Sequence, residues 1–125
     1  MLRARGFTLI ELMVTLLIVG ILAAVAVPTY RESVKRGNRR AAQSVMMDIV
    51  NRQQQYFVAN RAYATEAELN YGLPPDVGSN YEYDIALDAG PPPSFTVTFT
   101  PTGGQVSDGS LSINGLGEKT PAGKW

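Results

Sequence analysis

Residues 7–30 read FTLIELMVTLLIVGILAAVAVPTY, and they decide the fold because no other stretch of the chain is so continuously apolar. One carboxylate, Glu11, lies near the start, and the nineteen residues from Leu12 to Tyr30 carry no charge. As a helix, nineteen residues reach roughly 28 Å at about 1.5 Å each, which is close to the hydrocarbon thickness of a bilayer. The stretch therefore predicts a membrane-spanning helix over residues 7–30.

The helix is expected to continue through residues 31–59, which contain one glycine and no proline. Apolar and long side chains recur here at intervals of three and four, the spacing of one face of an amphipathic helix. They are Ala42, Val45, Met46, Ile49, Gln53, Tyr56 and Phe57. This face needs a partner, which the rest of the chain must supply.

Residues 60–125 predict a small globular head. Apolar residues alternate with polar or small ones in residues 81–87 and 94–100, and a third short strand is predicted around residues 110–114. Short loops between them favour an antiparallel meander. The predicted fold class is therefore α+β: a long N-terminal helix, half membrane-spanning and half amphipathic, packed against an antiparallel sheet of three to four strands.

Charge is segregated along the chain although the formal net charge is zero. Arg3 and Arg5 precede the apolar stretch, which favours a cytoplasmic N-terminus. Five basic residues within residues 31–40 oppose that orientation, and the head that follows is acidic. Basic clusters can contact nucleic-acid phosphates. Because this cluster follows the span so closely, we instead expect it to meet lipid headgroups and neighbouring acidic heads, and we do not expect DNA binding.

The chain contains no cysteine and no histidine, which excludes several kinds of chemistry. Thiol nucleophiles, thiolate or imidazole metal sites and histidine proton transfer are all removed. Asp108 is the one acid between Ala89 and Leu116, too few hard ligands for a calcium loop. We therefore predict no enzymatic activity, no catalytic residues, no metal site and no cofactor.

The segment RGFTLIEL, residues 5–12, resembles the class III signal sequence of type IV prepilins and type II secretion pseudopilins. The resemblance extends over most of the chain and is greatest to small minor type IV pilins. It implies the pilin fold, with residues 1–6 as a leader that a prepilin peptidase removes between Gly6 and Phe7. It also implies N-methylation of the new Phe7 amine and a role for Glu11 in subunit assembly.

The same resemblance implies partners and a location. The partners are other pilin subunits, the prepilin peptidase and N-methyltransferase, an inner-membrane assembly platform and, before assembly, membrane lipid. The subunit would cross the inner membrane once with a periplasmic head, and would then join an extracellular pilus. Many pilins close the C-terminal region with a disulfide, which this chain cannot form.

Two features also have a purely structural interpretation. Thr8-x-x-Glu11 is a capping box that satisfies amides at a helix start, whereas the assembly role pairs Glu11 with the Phe7 amine of a neighbouring subunit. Pro28 lacks an amide hydrogen and Gly20 weakens a helix. Either the membrane helix simply tolerates these two residues, or they are the ends of a segment that bends or melts when the subunit enters the filament.

The predicted function is that of a structural subunit of a type IV pilus. A minor pilin is favoured, one that supports filament initiation or assembly in adhesion, twitching motility or DNA uptake. A type II secretion pseudopilin and a small major pilin are the alternatives within the family. An alternative of another class is a conventionally secreted periplasmic binding or adaptor domain, cleaved after the A-x-A sequence of residues 24–26.

Overall fold

The computed structural model describes residues 4–125, so that Met1 to Arg3 of the predicted leader lie outside the described residues. The elements in chain order are α1 (Leu9–Asn60), α2 (Glu66–Leu69), α3 (Pro75–Gly78), β1 (Tyr81–Asp88), β2 (Ser94–Pro101), a 3₁₀ helix (Gly103–Asp108), β3 (Leu111–Asn114), β4 (Lys119–Thr120) and a second 3₁₀ helix (Ala122–Lys124). The chain divides into two compact units, the first ending at Val34 and the second comprising Lys35–Trp125.

Helix α1 starts at Leu9, two residues later than predicted, because Thr8 caps it: the Leu12 amide donates to the Thr8 carbonyl at 3.2 Å. Its N-terminal part exposes a long series of large apolar side chains. Within the described residues, α1 is the one helix long and apolar enough to cross a membrane. The first unit is therefore an apolar helix without a protein cover of its own.

The second unit contains a four-stranded antiparallel sheet in the order β1-β2-β3-β4. Ile85 of β1 lies opposite Val97 of β2, which in turn lies opposite Ile113 of β3. One face of these strands and one face of α1 form the hydrophobic core. The core residues from α1 are Ala42, Val45, Met46 and Ile49, and those from the strands include Tyr81, Phe95, Val97, Phe99 and Leu111. The predicted α+β fold is confirmed.

The predicted inner face of β1 is not buried along its whole length. Leu87 is 42% exposed, whereas Tyr81 and Ile85 on the same face are buried. Leu87 lies near the end of the strand and lines an open cavity with Tyr63 and Arg61. Phe95, which lies opposite Leu87 on β2, is buried, so the core reaches this end of β2 while the Leu87 side chain lines the open cavity.

Gln53 is the one amide on the buried face of α1, and its side chain is fully buried. Its Nε2 donates to the Ala64 carbonyl at 2.7 Å, and its Oε1 accepts from the Ala64 amide at 2.8 Å. Because a buried polar group costs free energy unless it is hydrogen-bonded, this exchange explains why glutamine fits an apolar face. It fixes the chain where it leaves α1.

Candidate assembly site

The residues that the sequence singles out for processing and assembly lie together at the start of α1. Gly6 and Phe7 precede the helix, and the Phe7 side chain is 86% exposed. Glu11 Oε2 accepts from the Thr8 amide and from the Thr8 hydroxyl, each at 2.8 Å. The Glu11 amide donates to Thr8 Oγ1 at 3.2 Å. The capping box is therefore formed, and it holds the carboxylate four residues after Phe7.

An open groove of about 370 Å³ runs beside this carboxylate. Phe7, Ile10, Glu11, Val14 and Thr15 line it. The Thr15 hydroxyl donates to the backbone carbonyl of Glu11 at 2.7 Å, so the Thr15 hydroxyl has its hydrogen-bond partner within the helix. An exposed carboxylate in an otherwise apolar groove can attract a cation that approaches from a second molecule.

Gly20 and Pro28 both lie within the continuous span of α1. A methyl group added at Gly20 would meet no atom within 4 Å, so this glycine is not required by packing in the single chain. Pro28 cannot donate to the carbonyl four residues before it. The next residue, Thr29, donates its hydroxyl to the Val25 carbonyl at 2.9 Å. Whether this segment bends on assembly remains a prediction.

A cluster of buried polar residues in the second unit was not predicted from the sequence. Asp108 is 7% exposed, with its Oδ2 3.1 Å from Arg39 Nε and its Oδ1 3.8 Å from Lys124 Nζ. Oδ2 makes no well-aligned hydrogen bond among the described residues, so charge attraction holds it. These residues are far apart in sequence, so no local pattern identifies the cluster.

Gln105 adds a second layer to this cluster. Its Nε2 donates to the Lys35 carbonyl at 2.9 Å and contacts the Tyr81 hydroxyl at 3.1 Å, and its Oε1 accepts from Asn38. Burial raises the pKa of Tyr81, and the hydrogen bond from Gln105 partly opposes this rise. The 3₁₀ helix Gly103–Asp108 is thereby fastened to α1.

The C-terminal segment is ordered without a disulfide. Gln43 Nε2 donates to the Lys124 carbonyl at 2.6 Å, and Trp125 Nε1 donates to the Thr120 carbonyl at 3.3 Å. Lys119 Nζ lies 5.1 Å from the centre of the Trp125 ring. Together with the Asp108 ion pairs, these contacts close the tail over α1.

The outer face of the sheet is acidic at its β1 edge. Glu82, Asp84 and Asp88 are all exposed and alternate along β1. The adjacent strand presents threonines to the same side, Thr96 and Thr98. This face would repel a polyanion.

Comparisons with known proteins agree on one family. A model of the family described as type IV minor pilin ComP, DNA uptake sequence receptor, matches residues 28–112. A model of the prokaryotic N-terminal methylation motif matches residues 1–27. Together the two matches span the apolar helix and most of the head.

Individual relatives are pilins and a secretion protein. The type IV major pilin protein PilA of Myxococcus xanthus is 35% identical over 88 residues, 70% of this chain and 40% of that protein. The type IV wide pilus major component PilA4 of Thermus thermophilus is 38% identical over 73 residues, 57% of this chain and 56% of that protein. The type II secretion system core protein G of Escherichia coli is 34% identical over 71 residues, 57% of this chain and 47% of that protein. The matches thus span about half the length of these relatives.

Proposed function

This chain belongs to the type IV pilins, in the family described as type IV minor pilin ComP, DNA uptake sequence receptor, and we propose that it is a minor subunit that supports initiation or assembly of a type IV pilus. Two of the relatives are major components of type IV pili. The observation that carries the proposal is the Glu11 carboxylate, held in the first turn of an exposed apolar helix four residues after Phe7.

The proposed assembly step begins with cleavage between Gly6 and Phe7, which creates an amine on Phe7 that is then methylated. In the filament this cation pairs with Glu11 of a neighbouring subunit. A carboxylate at the centre of a membrane helix costs on the order of 2.5 to 3.5 kcal/mol. Glu11 lies in the first turn of α1, where the cost is smaller, and a cationic partner offsets what remains of it. Because a buried ion pair adds little net stability, its main effect is to fix the stagger between subunits.

Two substitutions separate this assembly role from helix capping. Glu11→Gln keeps an oxygen that can accept from Thr8, since glutamine also serves in a capping box, but it removes the charge. We expect Glu11→Gln to be processed normally and to be lost from sheared filaments, measured by immunoblot of filament and membrane fractions. Thr8→Val removes the cap and keeps the charge, and we expect it to enter filaments at a level close to wild type.

Intact mass and N-terminal sequencing of the protein from its membrane test the processing step. The expected chain starts at N-methylated Phe7, and Gly6→Val is expected to leave the leader attached. A chain that starts near Val27 would mean conventional secretion.

If Glu11→Gln enters filaments as well as wild type does, the carboxylate serves only to cap the helix, and the proposed ion pair with the Phe7 amine is wrong.

The alternatives within the family differ in features of the head. A pseudopilin with a calcium loop needs free carboxylates near the C-terminus, whereas Asp108 is paired with Arg39 and Lys124. That pairing favours a pilus subunit. Incorporation at a small fraction of the major subunit, measured by quantitative mass spectrometry of filaments, distinguishes a minor from a major pilin.

The family description also names DNA uptake, which makes a DNA receptor the second candidate function. Duplex binding relies on several phosphate contacts by basic residues, and the exposed edge of the sheet carries Glu82, Asp84 and Asp88 instead. We therefore keep the prediction that the sheet face of this head does not bind DNA. Fluorescence anisotropy with labelled duplexes at two salt concentrations tests it, and a salt-dependent rise would make the chain a DNA-binding pilin.

A further inference from the structure

The second unit contains an open pocket of about 210 Å³ whose charged walls are all basic. It is lined by Arg36, Arg39, Arg40 and Lys124, with Gln43 and Trp125; we call it the basic pocket. Asp108 pairs with Arg39 and Lys124, and a single carboxylate cannot neutralise four cations. The side chains that line the pocket, together with Asp108, therefore carry a net positive charge.

The two outer guanidiniums contribute most of that excess. Arg36 and Arg40 are both exposed and stand four residues apart on α1, a spacing at which like charges repel each other. A bound anion would relieve this repulsion. Guanidinium groups offer planar pairs of N–H donors that match a phosphate, and the Arg39 contact with Asp108 uses Nε among its five donors.

The opposite wall of the pocket is held in place. Gln43 bonds the Lys124 carbonyl, Trp125 bonds the Thr120 carbonyl, and Lys119 lies against the Trp125 ring. Asp108 fixes two of the four cations from below. The site is thus largely formed before a ligand arrives, which lowers the entropic cost of binding.

We propose that the basic pocket binds the headgroup of an anionic phospholipid while the subunit is in the membrane. Arg36 lies six residues after Tyr30, where the uncharged run ends, and six residues span at most about 20 Å. The pocket therefore stays near the bilayer surface. Basic pockets and juxtamembrane clusters attract anionic headgroups, and tryptophan favours the membrane–water interface.

A nucleic acid fits these observations less well. Non-specific duplex binding gains from a row of phosphate contacts. This pocket is a single small site rather than a row, and the β1 edge of the same unit is acidic. The lipid site rests on the membrane-inserted stage proposed above, but it does not depend on cleavage at Gly6 or on the pairing of Glu11.

Trp125 is the only tryptophan of the chain, so its fluorescence reports directly on the pocket. The full-length protein in a neutral detergent is titrated with short-chain phosphatidylglycerol and, separately, with phosphatidylcholine of the same chain length. We expect a saturable change with phosphatidylglycerol that weakens as salt is added, and at least about tenfold weaker binding of phosphatidylcholine.

Matched variants locate the site. Arg36→Gln with Arg40→Gln should weaken phosphatidylglycerol binding about 25-fold, roughly fivefold for each removed cation. Arg31→Gln removes one charge from the same helix, as each pocket substitution does, but Arg31 does not line the pocket. It should change binding less than about twofold, against about fivefold for a single pocket substitution. Circular dichroism checks that all variants fold alike.

Several outcomes would overturn the proposal. Equal binding of the two lipids, or an equal loss in Arg31→Gln and the double variant, would mean that no headgroup site exists there. Sodium phosphate that binds as tightly as phosphatidylglycerol would make it a phosphate site without lipid specificity. A duplex oligonucleotide that displaces the lipid at lower concentration would assign the pocket to nucleic acid. Failed N-terminal processing, by contrast, would leave this result unchanged and would count against the proposed function alone.

Discussion

Two cations from distant parts of the chain meet at the carboxylate of Asp108. Arg39 comes from the middle of α1 and Lys124 from the tail, while Gln105 of the same 3₁₀ helix bonds the Lys35 carbonyl and Tyr81. This single acid therefore connects three segments of the chain between which there is no covalent cross-link. Its charge matters more than its shape, because without it Arg39 and Lys124 would remain as cations with no counter-charge at this position.

Asp108→Asn tests this dependence. The variant keeps the shape of the side chain but leaves Arg39 without its counter-charge. We expect a loss of about 2 to 3 kcal/mol in the free energy of unfolding, below the ~3–5 kcal/mol of a fully buried pair, because Arg39 remains 16% exposed. Urea unfolding followed by Trp125 fluorescence measures it.

Asp48→Asn is the matched control. Asp48 pairs with Arg52 at 3.3 Å, four residues later on α1, and both side chains are about half exposed. Exposed pairs of this spacing contribute about 0.3–0.5 kcal/mol. Equal effects of the two substitutions would mean that the Asp108 cluster adds no more than a surface pair does.

Among the secondary-structure elements, those with a regular period were predictable and those fixed by distant contacts were not. The apolar spacing in α1 identified Ala42 to Ile49 as the buried face, and alternation identified β1 and β2. Helix α2 was missed, although Thr65-x-x-Glu68 is the same capping box that was read at Thr8, and both of its hydrogen bonds form. The Asp108 cluster had no local signal, because ion pairs across the sequence depend on the tertiary fold.

For helix α1, the prediction to test is that the segment from Gly20 to Pro28 bends when the subunit enters a filament. The double variant Gly20→Ala with Pro28→Ala should stiffen the helix, by about 1 kcal/mol at the glycine and about 3 kcal/mol at the proline. Space at Gly20 is open, so alanine fits without a clash. If the segment must bend on assembly, the variant is processed and inserted normally but enters filaments less, measured by fractionation.

Gly37→Ala serves as the comparison, since Gly37 also lies in α1 with open space around it. It should strengthen the helix outside the segment and leave incorporation unchanged. A filament reconstruction in which residues 20–28 form an unbroken helix would contradict the hypothesis that this segment bends on assembly, whatever the variants show.

For the whole head, we expect the buried phenols to set the alkaline limit of stability. Burial raises the pKa of Tyr71, Tyr81 and Tyr83. A group whose pKa is higher in the folded state stabilises the fold fully below its unfolded pKa, about 10 for tyrosine. That contribution is lost as pH rises from there through the folded pKa.

We therefore expect the urea midpoint to fall steeply above about pH 10. Tyr81→Phe with Tyr83→Phe should flatten this fall, because neither ring can then ionise. The measurement is the unfolding midpoint between pH 8 and pH 11, with each protein compared with itself at pH 8. An identical slope in wild type and double variant would show that these phenols do not set the limit.

The short strand β4 has a consequence for mechanical load. The tail is held by the two residues of β4, by the hydrogen bond from Gln43 and by the ion pair of Lys124 with Asp108. A force applied at Trp125 would break such contacts one after another, whereas a disulfide would carry the load as a covalent bond. We expect the tail to detach at lower tension than the β1–β2–β3 core and to rejoin it when the tension falls. The tail would thus lose and regain these contacts under changing load without any change in redox chemistry.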